Sequence, residues 1–210
     1  MTPRGGPLVA IYADESCLGN GREGSNPGGA GGLIELMNRG ALARYEYWVS
    51  EPGTTNNRMA LRSATEALRI LSAKGRRCRV VFTSDSKYLV EGNGDWIYGW
   101  MSRGWKRKGG AIENLALWQE LAEARRGHDV QWSWVRGHAG HPQNEYANLL
   151  ATRAAATQTQ SGGAVPAKFD EWLSGERASG RMTLDPSPLP DAARFAPARA
   201  LPLEAAPELL

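Results

Sequence analysis

Arg79-Val-Val-Phe-Thr-Ser-Asp85 is the stretch of sequence that decides the fold. Its short apolar run is typical of a β-strand, and an apolar run without polar alternation suits a buried central or parallel position in a sheet. Apolar residues recur at helical spacing on either side of it, over residues 59–71 and 115–125. We therefore expect an inner strand that ends next to Asp85, in a sheet covered by helices.

The remaining strands are predicted outward from this stretch. Three precede it, at residues 8–13, 31–37 and 43–49, where short β-prone runs are bounded by turn residues. After it, residues 129–135 alternate apolar and polar side chains, and a final helix is expected over residues 144–156. Three antiparallel strands followed by strands separated by helices predict an α/β fold, with a five-stranded mixed sheet flanked by helices.

Charge and proline content divide the chain near residue 156. Residues 1–155 hold 20 Lys and Arg against 15 Asp and Glu, a net +5, whereas the remaining 55 residues hold 5 against 7, a net −2. A basic surface favours polyanions such as nucleic acid. Proline recurs in the second part and blocks regular helix and sheet. This predicts a folded domain at residues 6–156 and a mostly disordered Ala/Pro-rich tail at 157–210.

Simple features of the sequence exclude several protein classes. No run of 18 apolar residues occurs, so no transmembrane helix is predicted, and the first residues lack the apolar stretch of a signal peptide. A cytoplasmic protein is the resulting expectation. The two cysteines, Cys17 and Cys78, provide neither a disulfide framework nor a zinc-site spacing, and we expect small, half-buried thiols.

Asp14 and Asp85 are the first candidates for chemistry, because each follows a predicted strand. Strand ends in open α/β sheets border a crevice where ligands bind. Two carboxylates brought together there repel each other unless a cation lies between them, and Mg²⁺ prefers such hard oxygen ligands. Each aspartate alone could equally cap the element that follows its strand, so the surrounding motifs must distinguish the two interpretations.

Six motifs in succession resemble those of the ribonuclease HI family, in order and in approximate spacing. They are Asp14-Glu-Ser-Cys-Leu-Gly-Asn20, Pro27-Gly-Gly-Ala-Gly31, Thr54-Thr-Asn-Asn-Arg-Met59, Thr83-Ser-Asp-Ser86, Gly104-Trp-Lys106 and Trp134-Val-Arg-Gly-His-Ala-Gly-His-Pro-Gln-Asn-Glu145. The resemblance covers about 150 of the 210 residues. It implies cleavage of the RNA strand of RNA–DNA hybrids by an Asp–Glu–Asp–Asp set. That set holds two Mg²⁺ ions, with Mn²⁺ as an alternative, which clamp both oxygens of an in-line displacement.

Two of the four expected acids are missing when the resemblance is carried over by position. Asp14 and Asp85 match the first and third acids, but Ala60 stands where the family has glutamate, and Asn148 stands where it has the last aspartate. Alanine cannot ligate a cation, and asparagine offers only a neutral carbonyl oxygen. The expected metal ligands are thus Asp14, Asp85 and Asn148. Glu15 is a further candidate, although side-chain alternation along a strand argues against it.

His138 is implied by the resemblance to pass a proton to the leaving group, a role that suits a glycine-flanked histidine. The expected catalytic set is Asp14, Asp85, His138 and Asn148. Glu66 is predicted to face away from the site, because it lies about 240° around the helix from Ala60 at about 100° per residue. Glu145 is expected to cap the final helix.

Residues that would grip nucleic acid come from three segments. The resemblance implies that Thr55 meets a DNA phosphate and that Asn56 and Asn57 contact the minor groove, where the 2′-hydroxyl distinguishes RNA from DNA. Thr55 suits a helix cap as well. Cys17 and Asn20 line the same groove by resemblance. A basic loop resembles the family's basic protrusion, in which cations neutralise phosphates and indoles pack on sugars, and its candidates are Trp105, Lys106, Arg107 and Lys108.

Two functions remain open from the sequence. One is a ribonuclease H-type endonuclease that hydrolyses the RNA strand of RNA–DNA hybrids with metal assistance. The other is a catalytically weakened or inactive module that binds the hybrid without cutting it. Asp14, Asp85 and His138 favour the enzyme, whereas Ala60 and Asn148 favour the module. In either case we expect a monomer that binds RNA–DNA hybrid and no membrane.

Overall fold

A computed structural model describes residues 5–19 and 26–202 of the chain and contains one six-stranded mixed sheet. The strands are β1 (Leu8–Cys17), β2 (Gly28–Asn38), β3 (Ala41–Glu51), β4 (Arg79–Ser84), β5 (Asp129–Trp134) and β6 (Val165–Pro166). The helices are α1 (Asn56–Ser72), α2 (Lys87–Glu91), α3 (Ile97–Ser102), α4 (Leu115–Arg126), α5 (Pro142–Thr157) and α6 (Phe169–Ala178). Within these described ranges, no helix is long and apolar enough to cross a membrane.

The strand order β5-β4-β1-β2-β3-β6 places β4 inside the sheet, as its apolar run predicts. β1, β2 and β3 pair antiparallel, and β4 lies parallel to both β1 and β5. The predicted α/β fold with a mixed sheet flanked by helices is confirmed. The sheet has six strands rather than five because Val165 and Pro166 pair with Glu46 and Tyr45 at the outer edge of β3.

Different helices cover the two faces of the sheet. One face of β1 belongs to a core cluster that also contains residues of α1 and α4, and its members from β1 are Val9, Ile11 and Ala13. Successive side chains of a strand point to opposite faces. Glu15 therefore continues the face that packs on α1, and Asp14 leaves β1 toward the other face, which α5 covers.

α5 approaches the sheet closely because β2 has glycines beneath it. A Cβ atom on Gly31 would lie 2.4 Å from Cβ of Leu150, and one on Gly29 would lie 2.3 Å from the carbonyl oxygen of Ala151. Larger residues would push the helix away from the sheet. Because Gly31 is the register partner of Asp14, this contact brings α5 over the end of β1.

Residues 157–202, called the C-terminal extension from here on, pack on the domain. The extension provides β6, α6 and a 3₁₀ turn, and it buries Phe169, Leu173 and Met182 in a second core cluster. Their buried partners in the domain are Leu33, Tyr146 and Leu150. The prediction of a mostly disordered tail is therefore wrong for residues 157–202. Proline restricts hydrogen-bonded regular structure but does not stop apolar side chains from packing. Residues 203–210 lie outside the described part.

The extension also covers both outer strands of the sheet. At one side, β6 pairs with β3. At the other, the Ala198 N–H donates to the carbonyl oxygen of Val130 at 2.9 Å, and the Ala196 N–H donates to Oε1 of Gln131 at 2.9 Å. Uncovered strand edges invite pairing with other chains. The extension thus protects the two edges that the domain leaves open.

Candidate active site

The carboxyl ends of β1 and β4 meet at one edge of the sheet. The parallel pairing of these strands ends at Ala13 and Ser84. Asp85 follows Ser84 at once, whereas β1 continues through Asp14 and Glu15 with partners in β2 only. Among the described strands, none lies beside Asp14 and Glu15 on the β4 side, so their carboxylates have room to turn toward Asp85.

Asp14, Glu15 and Asp85 form the acid cluster, in which one carboxylate oxygen from each residue lies within 4.8 Å of the other two. Among residues 5–19 and 26–202, no other three Asp, Glu, His or Cys side chains come together in this way. Side-chain alternation along β1 does not keep Glu15 out of the cluster. Its side chain and that of Asp14 leave β1 on opposite faces, but both reach the same open edge beyond the end of β4.

Asp14 is held by both the strand and α5. The backbone N–H of Glu15 donates to Oδ1 of Asp14 at 2.7 Å, and the side-chain amide of Asn144 donates to Oδ2 at 3.5 Å. Asp14 retains only 5% exposure. Asn144 was not singled out from the sequence, although it lies in the last of the six motifs. Its contact shows that the first turn of α5 borders the acid cluster.

Asp85 is held by the loop that follows β5. A Cβ atom on Gly137 would lie 2.2 Å from Oδ2 of Asp85, so a larger residue there would displace the Asp85 carboxylate. The indole N–H of Trp134 donates to the backbone carbonyl oxygen of Asp85 at 3.0 Å. Gly137 was likewise not predicted as a site residue, because its close contact with Asp85 is visible only in the tertiary structure.

Burial and like charge raise the pKa values of all three acids in the cluster. Burial, followed by repulsion from Asp85, raises the pKa of Asp14 to about 7. Burial raises the pKa of Glu15 well above its usual value, and both aspartates add to this shift. Burial also raises the pKa of Asp85, while nearby His138 acts in the opposite direction. Carboxylates that repel one another in a partly dry site are typical of a cation site.

The two substituted positions differ in what they can contribute. Ala60 is 1% exposed and belongs to the core cluster that includes Ala13, so it provides packing and no ligand. Glu15 extends from the same face of β1 and brings a carboxylate to the cluster. Asn148 is half-buried and lies one turn after Asn144, on the same side of α5. Glu66 lines a separate cavity between α1 and α4, in agreement with the prediction that it faces away from the site.

His138 lies on the loop between β5 and α5, with an exposed side chain and a backbone φ of 52°. The preceding residue, Gly137, lies against the Asp85 carboxylate, and the charge of His138 acts to lower the pKa of Asp85. His141 caps α5, because its Nδ1 accepts the Asn144 N–H at 3.4 Å. Glu145 accepts the Gly140 N–H at 3.2 Å and so stabilises the same loop, close to its predicted capping role.

The predicted groove residues surround the start of α1. Thr55 caps α1 by accepting the Arg58 N–H at 3.4 Å, and Asn56 and Asn57 occupy the first two helical positions. Cys17 ends β1 as a free, half-buried thiol, and burial raises its pKa to about 11. A Cβ atom at Gly28 would meet both Thr54 and Cys17, so these segments converge. Asn20 lies outside the described residues.

The basic loop carries exposed cations beside a cavity of about 560 Å³. Lys106, Arg107 and Lys108 are exposed, whereas Trp105 is half-buried against the first core cluster. Trp96 and Trp100 both line this cavity, although Trp100 is buried. The sequence did not point to this cavity, because its wall includes a residue of the C-terminal extension.

Comparisons with known proteins show the family and the fold of the chain. The family model for RNase H matches residues 7–156. Ribonuclease H of Stutzerimonas stutzeri (strain A1501) is 46% identical over 146 residues, covering 69% of this chain and 89% of that protein. Ribonuclease HI of Caulobacter vibrioides is 44% identical over 146 residues, covering 69% and 91%. The crystal structure of LC9-RNase H1, described as a type 1 RNase H with the type 2 active-site motif, is 61% identical, with a TM-score of 0.87 and 96% coverage of both chains.

Proposed function

Because the chain belongs to the RNase H family and is a ribonuclease H-type endonuclease, we propose that it hydrolyses the RNA strand of RNA–DNA hybrids with the acid cluster as its metal centre. One observation carries the proposal for the site. Carboxylate oxygens of Asp14, Glu15 and Asp85 lie within 4.8 Å of one another at the carboxyl ends of β1 and β4. Matching the family's acids by position gives only two carboxylates, Asp14 and Asp85, and Glu15 is the third.

A divalent cation with a preference for oxygen ligands fits this cluster. Mg²⁺, with Mn²⁺ as the alternative, binds carboxylates in this way. Asp14, Glu15 and Asp85 would hold it, and Asn148 would offer one neutral carbonyl oxygen. When bound, such ions help to generate the attacking water and neutralise charge on the leaving oxygen. The raised pKa values of the three acids support this assignment, because a cation would relieve their repulsion.

Glu15 favours the enzyme over the inactive module. Loss of the acid at position 60 would leave the site with two carboxylates, and close contacts between ions and ligands contribute strongly to binding at low effective dielectric. Glu15 restores the count to three, from the face of β1 that packs on α1. The 61% identical LC9-RNase H1, a type 1 enzyme described with a type 2 motif, supports a changed acid set within this fold.

The chain's own residues would divide the remaining work. His138 is exposed, follows the Gly137 that lies against Asp85, and would deliver a proton to the leaving 3′ oxygen. Asn144 orients Asp14 by a direct hydrogen bond. Thr55, Asn56 and Asn57 at the start of α1 would contact the hybrid, and Lys106, Arg107 and Lys108 would neutralise its phosphates. Cys17 and Trp105 are further proposed contacts. Asn20, from the same predicted groove, completes this set.

Cleavage of a labelled RNA–DNA hybrid in Mg²⁺ or Mn²⁺ tests the proposal. We expect Glu15→Gln and Asp85→Asn each to lower kcat by at least about 100-fold. Each removes a negative charge that helps to bind a cation, and the cation stabilises the transition state by several kcal/mol. Glu66→Gln is the matched control, since this acid lies on α1 but lines a different cavity. It should retain wild-type activity.

The same assay distinguishes the module from the enzyme. Tight hybrid binding without cleavage in either metal ion would show that only the binding function survives. Full activity of Glu15→Gln alongside an inactive Asp85→Asn would show that Glu15 is not a ligand and that two carboxylates suffice. Cleavage of the DNA strand would overturn the substrate assignment.

A further inference from the structure

The cavity beside the basic loop combines aromatic rings with arginines, and we call it the aromatic–arginine cavity. Its aromatic and arginine lining residues are Tyr88, Trp96, Trp100, Arg103, Arg107 and Arg199. Five of these belong to the segment between β4 and β5. Arg199 belongs to the C-terminal extension, beyond residues 7–156 that the RNase H family model matches. One wall of the cavity is thus supplied by a residue outside the part of the chain that the family model matches.

Arg199 is fixed in place by several contacts. Its backbone carbonyl oxygen accepts the hydroxyl of Tyr98 at 2.7 Å and a guanidinium N–H of Arg125 at 3.0 Å. Its own guanidinium carbon lies 3.8 Å from the centroid of the Tyr98 ring. The preceding residue, Ala198, is hydrogen-bonded to Val130 of β5. A cation held this firmly loses little freedom when it binds an anion.

The charges of the cavity favour an anionic ligand. Arg103, Arg107 and Arg199 line it, with Asp95 and Glu113 as the only acids in its wall, a net charge of +1. None of the three arginines forms an ion pair within the part of the chain that is described. Planar guanidinium groups bind phosphate oxygens through paired hydrogen bonds, and adjacent indoles accept sugars or bases.

We propose that Arg199 binds a backbone phosphate of the nucleic-acid substrate in the aromatic–arginine cavity, which makes the C-terminal extension part of the substrate-binding surface. The inference rests on the proposed function, because it takes the substrate to be an RNA–DNA hybrid. It adds a binding residue that lies outside the matched domain. The ligand chemistry is a phosphodiester group flanked by a sugar that can pack on Trp96 or Trp100.

Salt-dependent binding tests this role without relying on cleavage. Kd for a labelled hybrid would be measured in Asp85→Asn protein, to prevent cutting, over a series of NaCl concentrations. Adding Arg199→Ala should weaken binding about tenfold at low salt and lower the slope of log K against log salt by about 0.9, the amount for one phosphate contact. Arg199→Lys should keep most of the slope because the charge remains.

Arg194→Ala is the matched control on the same extension. Arg194 is exposed, pairs with Asp191 at 3.9 Å and does not line the cavity. An unchanged slope in Arg199→Ala, or an equal loss in Arg194→Ala, would overturn the inference, the second by showing a mere net-charge effect. Circular dichroism would check folding, and Arg199→Gln gives a second, bulkier neutral variant. Unaltered binding in the Asp85→Asn background, together with wild-type cleavage when Arg199→Ala is the only change, refutes the role of Arg199 but leaves the proposed function standing.

Discussion

The hydroxyl oxygen of Ser187 lies 3.0 Å from Nε2 of His141, which joins the C-terminal extension to the loop before α5. Nδ1 of His141 accepts the Asn144 N–H, so Nε2 carries the proton and donates to Ser187. Gln143 strengthens the junction, because its side chain accepts the Ser187 N–H at 3.1 Å and donates to the Ser187 carbonyl oxygen at 2.8 Å. The extension thereby supports the turn of α5 that contacts Asp14.

Ser187→Ala should lower kcat for hybrid cleavage about fivefold with little change in KM. Loss of one hydrogen bond, worth about 1 kcal/mol net, loosens the loop that carries His138 rather than the binding surface. Ser187→Thr should restore the rate, since it keeps the hydroxyl. Ser179→Ala removes a local bond within the extension and serves as control. Equal losses in both alanine variants would show a general effect of the extension instead.

Asp14→Asn should stabilise the cation-free protein above pH 7. The pKa of Asp14 rises on folding from 3.8 to about 7, so the folded state holds its proton more tightly than the unfolded state does. The resulting stability is fully present below pH 4 and is lost as pH rises through 7. The Asn variant should therefore exceed wild type by up to a few kcal/mol at pH 8 and match it near pH 4.

Thermal unfolding in EDTA across this pH range, with wild type and Asp14→Asn side by side, provides the measurement. Adding Mg²⁺ at pH 8 should raise the Tm of wild type and leave that of Asp14→Asn nearly unchanged. Glu66→Gln should follow wild type throughout. A constant difference between Asp14→Asn and wild type at all pH values would show that the carboxyl titrates normally in the folded protein.

Variants that move the carboxylate from position 15 to position 60 should show whether the two positions serve the same role. Ala60→Glu alone should not raise activity, because it buries a fourth carboxylate among three that already repel one another, and it should lower stability. Glu15→Gly alone should be nearly inactive, whereas the double variant should recover part of kcat. Steady-state kinetics in Mg²⁺ would measure this. A several-fold gain from Ala60→Glu alone would mean that Glu15 does not fill the missing role.

Phe169→Ala should lower the free energy of unfolding by about 3–5 kcal/mol, the usual cost of emptying a fully buried aromatic site. The ring packs on Tyr146 at a centroid distance of 5.4 Å, beneath the guanidinium of Arg44 at 5.0 Å. Phe195→Ala, on the same extension but only half-buried, should cost much less. Urea denaturation would compare them. Similar small losses in both variants would mean that the extension contributes little to the fold.

Much of the sheet and one pair of site residues follow from the sequence. Hydrophobic periodicity marks strands and helices, and the apolar run of β4 correctly predicts an inner strand. Asp14 and Asp85 are expected to converge because the carboxyl ends of adjacent parallel strands share an edge. These are properties of local pattern and of strand direction, which the residues themselves encode.

Only the tertiary structure decided the rest of the site. Glu15 reaches the aspartates because the neighbouring strand β4 stops at Ser84. Since β4 is far from β1 in sequence, the residues of β1 alone do not indicate where it ends. Arg199 stands beside Trp96 only because the extension crosses β5 and docks on α3 and α4. The proline content of the extension indicates only that some backbone N–H donors are missing. Whether the apolar side chains between prolines find a surface to cover depends on long-range packing, which brings together residues far apart in the chain.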